Sequence, residues 1–308
     1  MDTALRDKME KTGMWNAEKE DRLRRVVFDL GEEWEKEAEM LQKRLNMEGI
    51  ACVSLKRQGA DAPLILEPAT FEKRETVVLT DSAWHGKKLA REGIVYFGCR
   101  RGESSWFEGA ALVLEGFSEI DARYLEEWMC RAQGRPAWIA RTERLRIREI
   151  GELDLPELVR IGEQAPGLAL QNEEAFTLER LRSYIETAYR LQGYGLWSVL
   201  YEGKVIGCCG FAPYEEKDTR EQTCVYWVRC DTDAAVRMEN GENGNDRLLE
   251  LQYMLDAAYR RQGFGTEMCR AALQYADERL EADEIRVRIH PGNVASQALA
   301  RTLGFIQK

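Results

Sequence analysis

Apolar positions recur along this chain with two periods, and the switches between them outline its elements. Over residues 16–48, Leu23, Val27, Leu30, Trp34, Ala38, Leu41 and Leu45 stand three or four apart among charged neighbours, the spacing of an amphipathic helix. Residues 49–55 and 76–82 then read as short apolar strands, the second with a polar end. Residues 83–92 read as a helix closed by Gly93, 94–97 and 111–114 as two further strands, and 121–130 as a closing helix. Strands alternating with helices predict a small parallel-sheet α/β domain over residues 1–140. Pro136 and the arginine-rich stretch to Arg148 read as a linker.

The pattern changes after it. Residues 143–150 alternate apolar and charged positions, as a half-exposed strand does. Asp154 reads as the N-cap of a helix with Pro156 in its first turn, and 178–189 as a second helix. Residues 195–201, the pair Glu202-Gly203 and residues 204–211 predict a strand, a tight turn and a strand. A long connection, 214–247, carries a strand over 223–229 and a polar tip over 239–246, which reads as a hairpin extension or as a flap. Strands over 248–256 and 284–290 and a helix over 297–303, ended by Gly304, complete a second domain, 141–308. The expected class is α/β (α+β), with a mixed central sheet in the second domain.

Composition narrows the function. Three hundred and eight residues favour two domains. No run of about 18 apolar residues exists and the first residues lack an apolar signal core, so a cytoplasmic protein without a membrane span is expected. Eight scattered cysteines without a C-x-x-C pair and only two histidines argue for reduced core thiols and against a metal site. A net charge of −10 speaks against nucleic acid and favours cationic ligands such as amines.

Chemistry concentrates near the end. The strand 248–256 runs into Arg260-Arg261-Gln262-Gly263-Phe264-Gly265-Thr266 and then a helix. Two glycines let a phosphate approach the backbone, and the N–H groups opening the helix hold it. A Walker loop would need Lys-Ser/Thr after the second glycine, where Thr266-Glu267 stands; a dinucleotide fingerprint would need a third glycine, where Cys269 and Arg270 stand.

Arg260-x-x-Gly263-x-Gly265, followed downstream by Asn293-x-x-Ser296 and Leu303-Gly304-Phe305, resembles the two cofactor segments of the GNAT N-acetyltransferases. The likeness is to the branch that acetylates N-terminal amines of ribosomal proteins, and it begins near Thr142. It implies a GNAT fold, acetyl-CoA as donor and a primary amine or peptide N-terminus as acceptor. The amine would attack directly in a ternary complex, with no acyl-enzyme. Carried over, Tyr253, Met254 and Leu255 lie beside pantetheine, residues 260–266 hold the pyrophosphate and Asn293 contacts the pantetheine arm. The resemblance also implies a sixth and a seventh strand after the last helix; here the sequence stops soon after Phe305, so that edge is expected to be absent or supplied from elsewhere.

Glu250 is the candidate base: a carboxylate inside an apolar strand needs a role or a partner, and apolar walls would raise its pKa. The competing reading pairs it with an arginine or turns it to solvent. Many relatives carry a tyrosine acid in the last helix, where Ala300 stands here, leaving Ser296 as the nearby hydroxyl and candidate acid, or as a helix cap. His290 is a further acid or base candidate, and Cys208, Cys209 and Cys269 read as core residues rather than nucleophiles. Leu79-Thr80-Asp81-Ser82 loosely resembles part of the haloacid-dehalogenase phosphatase fold, but no Asp-x-Asp pair precedes residue 140, and Asp81 reads as a strand-end turn residue. A non-catalytic acyl-CoA sensor is the alternative function. Trp106, Trp128 and Trp138 are expected to join the two domains, and nothing in the sequence sets the oligomeric state.

Overall fold

The computed structural model describes residues 22–55, 72–102, 106–164, 177–215, 224–229, 247–280 and 282–307. The chain forms two compact units, Met1–Ala137 and Trp138–Lys308.

The first unit runs β1 (Arg25–Asp29), α1 (Glu35–Met47), β2 (Ala51–Ser54), β3 (Thr76–Thr80), α2 (Ala83–Arg91), β4 (Val95–Cys99), β5 (Leu112–Leu114) and α3 (Ala122–Ala132). Its five strands are parallel, in the order β2-β1-β3-β4-β5. The helix expected over 16–48 is corrected: residues 16–21 lie outside the described residues, 25–29 are a strand, and the α-helix starts at Glu35. Val26, Val27 and Phe28 are all buried because β1 is central and covered on both faces. Such a strand shows no alternation, and the helical spacing of Leu23, Val27 and Leu30 is coincidental. At its end the buried Asp29 accepts a hydrogen bond from Thr80 Oγ1 (2.6 Å) and lies 2.7 Å from His85 Nδ1. Asp81 accepts the Gly31 N–H at 2.7 Å.

The second unit runs β6 (Trp138–Arg141), β7 (Leu145–Glu149), α4 (Leu155–Gly162), α5 (Leu178–Tyr184, continuing in π-turns to Gln192), β8 (Leu196–Tyr201), β9 (Lys204–Pro213), β10 (Cys224–Arg229), β11 (Leu248–Leu255), α6 (Phe264–Tyr275), β12 (Glu284–Ile289), α7 (Val294–Thr302) and β13 (Ile306–Gln307). The strand order is β13-β10-β12-β11-β9-β8-β7-β6. The linker expected over 136–148 is corrected: Trp138 already pairs with Arg148, and β6 and β7 are sheet strands. Glu202 and Gly203 both adopt positive φ (47° and 77°), the turn that suits the twist of β8 and β9. One face of the sheet packs on α6, where Met268, Cys269 and Tyr275 meet Trp197, Phe211, Leu249 and Leu251. The other packs on α4 and α5, where Leu158, Ile161 and Leu181 meet Leu196, Cys208 and Met254.

The far edge also departs from expectation. β10, drawn from the 214–247 connection, pairs antiparallel with β12 from Cys224↔Ile289 to Arg229↔Glu284, and β13 pairs with β10. The chain itself therefore supplies the strand next to β12. The polar tip over 239–246 lies outside the described residues.

Asp154 does not cap α4 with its side chain, as its position suggested. It is buried, accepting from Arg148 at 2.6 and 2.7 Å, from Ser198 Oγ at 2.7 Å and from the Gly151 N–H at 2.8 Å. One carboxylate thus ties β7, β8 and the turn into α4. Asp154→Ala should lower the unfolding free energy by about 3 kcal/mol, since it strands a mostly buried guanidinium and a buried hydroxyl. Denaturant titration monitored by tryptophan fluorescence checks this, and a loss under about 1 kcal/mol would refute it.

Candidate active site

Parallel strands β11 and β12 pair only from Leu248↔Glu284 to Glu250↔Arg286 and then part. On the other side β11 stays paired with β9 as far as Leu255↔Gly207. The Tyr214 N–H donates to Leu248 O (3.0 Å) and the Asp256 N–H to Ile206 O (2.8 Å), so the even-numbered residues of β11 turn their backbone groups to β9. Leu251, Tyr253 and Leu255 therefore turn theirs into the fork. Unpaired strand edges of this kind accept an added extended chain.

The fork opens toward the glycine turn. Arg261 and Gly263 hold positive φ (59° and 85°), and Gly263 is the N-cap of α6. The first α6 bond is Glu267 N–H to Gly263 O (3.0 Å), so the N–H groups of Phe264, Gly265 and Thr266 precede the helical ladder and are available to an anion. A Cβ on Gly263 would sit 3.2 Å from Arg144 Nη2 in a backbone conformation unfavourable to it, whereas one on Gly265 would make only an ordinary 3.5 Å contact with Leu299. The left-handed backbone demands the first glycine; the second leaves room on the outside.

Residues that the sequence reading missed hold this turn. Arg144 donates from Nη1 to Gln262 O (3.0 Å) and from Nε to Glu267 (2.7 Å), and lies 4.1 Å over the Phe264 ring. Glu267 also accepts from Thr142 Oγ1 and from the Arg144 N–H. Arg260, placed on the pyrophosphate by sequence, sends its Nε to Leu255 O (2.9 Å), and Gln262 sends its side-chain amide to Ala258 O (2.8 Å). At the end of β11 the buried Asp256 accepts from the Ala258 N–H and pairs with Arg160 on α4. Burial alone would push the Asp256 carboxyl up, but those donors outweigh it and hold the group below its ordinary value; Glu267, half-covered beneath Thr142 and Arg144, is held down by the same balance.

Glu250, Gln252 and Met254 share the face of β11 that looks toward α4 and α5. Glu250 is buried and paired in bidentate fashion with Arg288 of β12, with Nε–Oε1 at 2.9 Å. The apolar walls expected around Glu250 are thus replaced on one side by a guanidinium, the paired arrangement that was the competing reading. Tyr214 stacks on this guanidinium (5.1 Å) and on that of Arg286 (4.5 Å). Alternation along β12 puts Arg286 and Arg288 on one face, but the pairing with Glu250 depends on a register that no single strand reveals.

At the start of α7 the cap is Asn293, whose Oδ1 accepts the Ser296 N–H at 3.0 Å. Ser296, read as a cap for the helix, is not one, and its hydroxyl lies near that of Tyr253. His290 is exposed, and its Nδ1 accepts the Gly292 N–H at 3.0 Å. Cys208, Cys209 and Cys269 are fully buried, and burial drives all three thiols up, Cys208 to about 12. None is a thiolate nucleophile at neutral pH. Among the described residues no group of three or more His, Cys, Asp or Glu could hold a metal ion.

The family described as acetyltransferase (GNAT) domain matches residues 144–306, more than half of the chain. Solved structures similar to the chain include a ribosomal-protein-alanine N-acetyltransferase of Brucella melitensis (25% identity, 52% of this chain and 83% of that one, TM-score 0.37). Another is a GNAT-family acetyltransferase of Bacillus anthracis (17% identity, 54% and 82%, TM-score 0.37). A third is Mycobacterium smegmatis RimJ in complex with CoA-disulfide (14% identity, 53% and 71%, TM-score 0.37). No curated protein matches the chain.

The depressed carboxyls Asp256 and Glu267 contribute stability that is fully present above the ordinary carboxylate value of about 4 and is lost as pH falls through their lower folded values. The double variant Asp256→Asn, Glu267→Gln should therefore show a flatter fall of melting temperature between about pH 5 and pH 2.5 than the parent. Parallel curves would show that these pairs do not control acid stability.

Proposed function

The chain belongs to the GNAT acetyltransferase family, and from that membership we propose that it moves an acetyl group from acetyl-CoA to a primary amine, a small molecule or a peptide N-terminus, by direct attack in a ternary complex. The observation that carries this reading is the continuity of the β11–β12 fork with the glycine turn at α6. A pyrophosphate on the N–H groups of Phe264, Gly265 and Thr266 directs the pantetheine arm along Tyr253, Met254 and Leu255. There the free backbone groups of Tyr253 bind it as an added strand, with the amide nitrogen of Asn293 available from α7. The thioester then reaches the face that carries Glu250.

In this reading Glu250 takes the amine proton through a water. A carboxylate has roughly four acceptor positions, and the bidentate guanidinium uses two, so Arg288 orients Glu250 without filling it. The protonated buried thiols support direct attack over a cysteine-bound intermediate. No helix among the described residues is long and apolar enough to cross a membrane, which suits an acceptor met in water.

Two results test the proposal. Acetyl-CoA should raise the melting temperature, because a ligand that binds only the folded state stabilises it, and Gly265→Asp should abolish the shift by setting a carboxylate against the phosphates. A shift unchanged in that variant would place the cofactor elsewhere. Glu250→Gln should slow acetylation by about a hundredfold while leaving acetyl-CoA affinity nearly intact, read by thiol release against a panel of amines, N-terminal peptides and polyamines. Full activity would reduce Glu250 to the structural partner of Arg288. Acetyl-CoA binding without turnover of any acceptor would favour an acyl-CoA sensor instead.

A further inference from the structure

The Gln262–Gly263 peptide lies between two residues in the left-handed conformation, Arg261 (φ 59°) and Gly263 (φ 85°), so no regular structure sets which way it faces. Turning a peptide plane over reverses the sign of φ at the residue that follows it, and glycine accepts either sign. The turn can therefore present either of two faces to an anion at the start of α6. One offers an N–H; the other offers a carbonyl oxygen, which repels negative charge.

The choice between them is made from outside the turn. Arg144, between β6 and β7, donates from Nη1 to Gln262 O at 3.0 Å. No peptide bond among the described residues is cis, and in a trans peptide the C=O and N–H point opposite ways. Holding the oxygen on Arg144 thus aims the Gly263 N–H away from it. Among the described residues no acceptor takes that N–H. It stands with those of Phe264, Gly265 and Thr266 ahead of the first bond of α6. The guanidinium is itself fixed. Glu267 accepts from its Nε at 2.7 Å and lies 2.6 Å from its Nη2, and the Phe264 ring lies 4.1 Å beneath it. Glu267 also balances the charge of Arg144, so the arginine acts on an anion through the peptide it orients.

Resting on the acetyl-CoA reading above, we propose that Arg144 is a positioning residue for the donor: it selects the face of the Gln262–Gly263 peptide that gives the pyrophosphate a further backbone N–H, that of Gly263. The arginine touches no phosphate in this arrangement. What it adds is one charge-assisted hydrogen bond from a backbone group that would otherwise be free to turn its carbonyl outward.

Coenzyme A binding to the full chain, followed by calorimetry and by NMR of glycine-labelled protein, tests this without knowledge of the acceptor. In the parent at saturation, the amide protons of Gly263 and Gly265 should both move downfield as phosphate oxygens accept them. Arg144→Met keeps an apolar stem over Phe264 and drops the hold on Gln262. Combined with Glu267→Gln it leaves no carboxylate stranded, so the double variant carries the test if the single one fails to fold. Both variants should bind coenzyme A about tenfold more weakly, the loss of one charge-assisted hydrogen bond. At saturation their Gly265 amide should still move and their Gly263 amide should not. A parent that binds no coenzyme A, or whose Gly265 amide stays in place on binding, would overturn the acetyl-CoA reading itself. Parent-like affinity in the double variant would reduce Arg144 to a counter-charge for Glu267. A Gly263 amide that stays in place in the parent, or moves in the variants, would remove the positioning role. Either of these last results leaves the acetyl-CoA reading standing.

Discussion

Two parallel strands that part after a short ladder leave backbone donors and acceptors without partners, and the second unit is arranged around that constraint. The partners of β11 and β12 on their outer sides must be secure, or the fork would close by sliding or fray apart. β9 secures β11 along its whole length, and β10 secures β12. The Glu250–Arg288 pair sits just where the ladder ends and links the diverging strands on one face. On the opposite face Tyr253 and the start of α7 approach each other across the gap. The glycine turn, held by Arg144 and Glu267, then fixes where the opening leads.

Carboxylates fasten the elements around the fork. Asp154, Glu250, Asp256 and Glu267 are buried or largely covered, and each meets an arginine from another element. Such a pair costs desolvation and is favourable only when its geometry is satisfied on both sides. Its return is position: Arg148 ties β7 to the turn before α4, Arg144 ties the β6–β7 turn to α6, and Arg160 and Arg288 tie α4 and β12 to β11 and its end.

What was legible in the sequence is what has a local cause. The glycines at 263 and 265 announce their turn because of what the backbone must do there, and Glu202-Gly203 announces the β8–β9 hairpin. Alternation marked β7 and β12, which have one face toward a core and one partly open. β1 hides because a central parallel strand has no period, and 138–141 because four residues between Pro136 and an arginine-rich run are too few to show alternation. Ser296 offers itself as a cap of α7 as readily as an acid, although Asn293, three residues earlier, accepts its N–H and is the cap. Glu250 was singled out by its anomaly, but its partner belongs to a strand whose register only the fold provides. The place of β10 is the largest gap, since nothing local says that a strand between β9 and β11 pairs beyond both.

That placement of β10 has a consequence for how the protein is made. β6 to β9 follow one another in the sheet as they do in the chain, so each can pair soon after its predecessor. β10 must wait for β12, synthesised well after it, and β13 must then find β10 across nearly half of the domain's length. Closing such loops is entropically expensive and slow. The edge beside the fork is therefore the last part of the sheet to assemble, and during synthesis β10 spends longest as an exposed strand with nothing to pair with, the state in which chains of this kind are most open to misassembly and to chaperones.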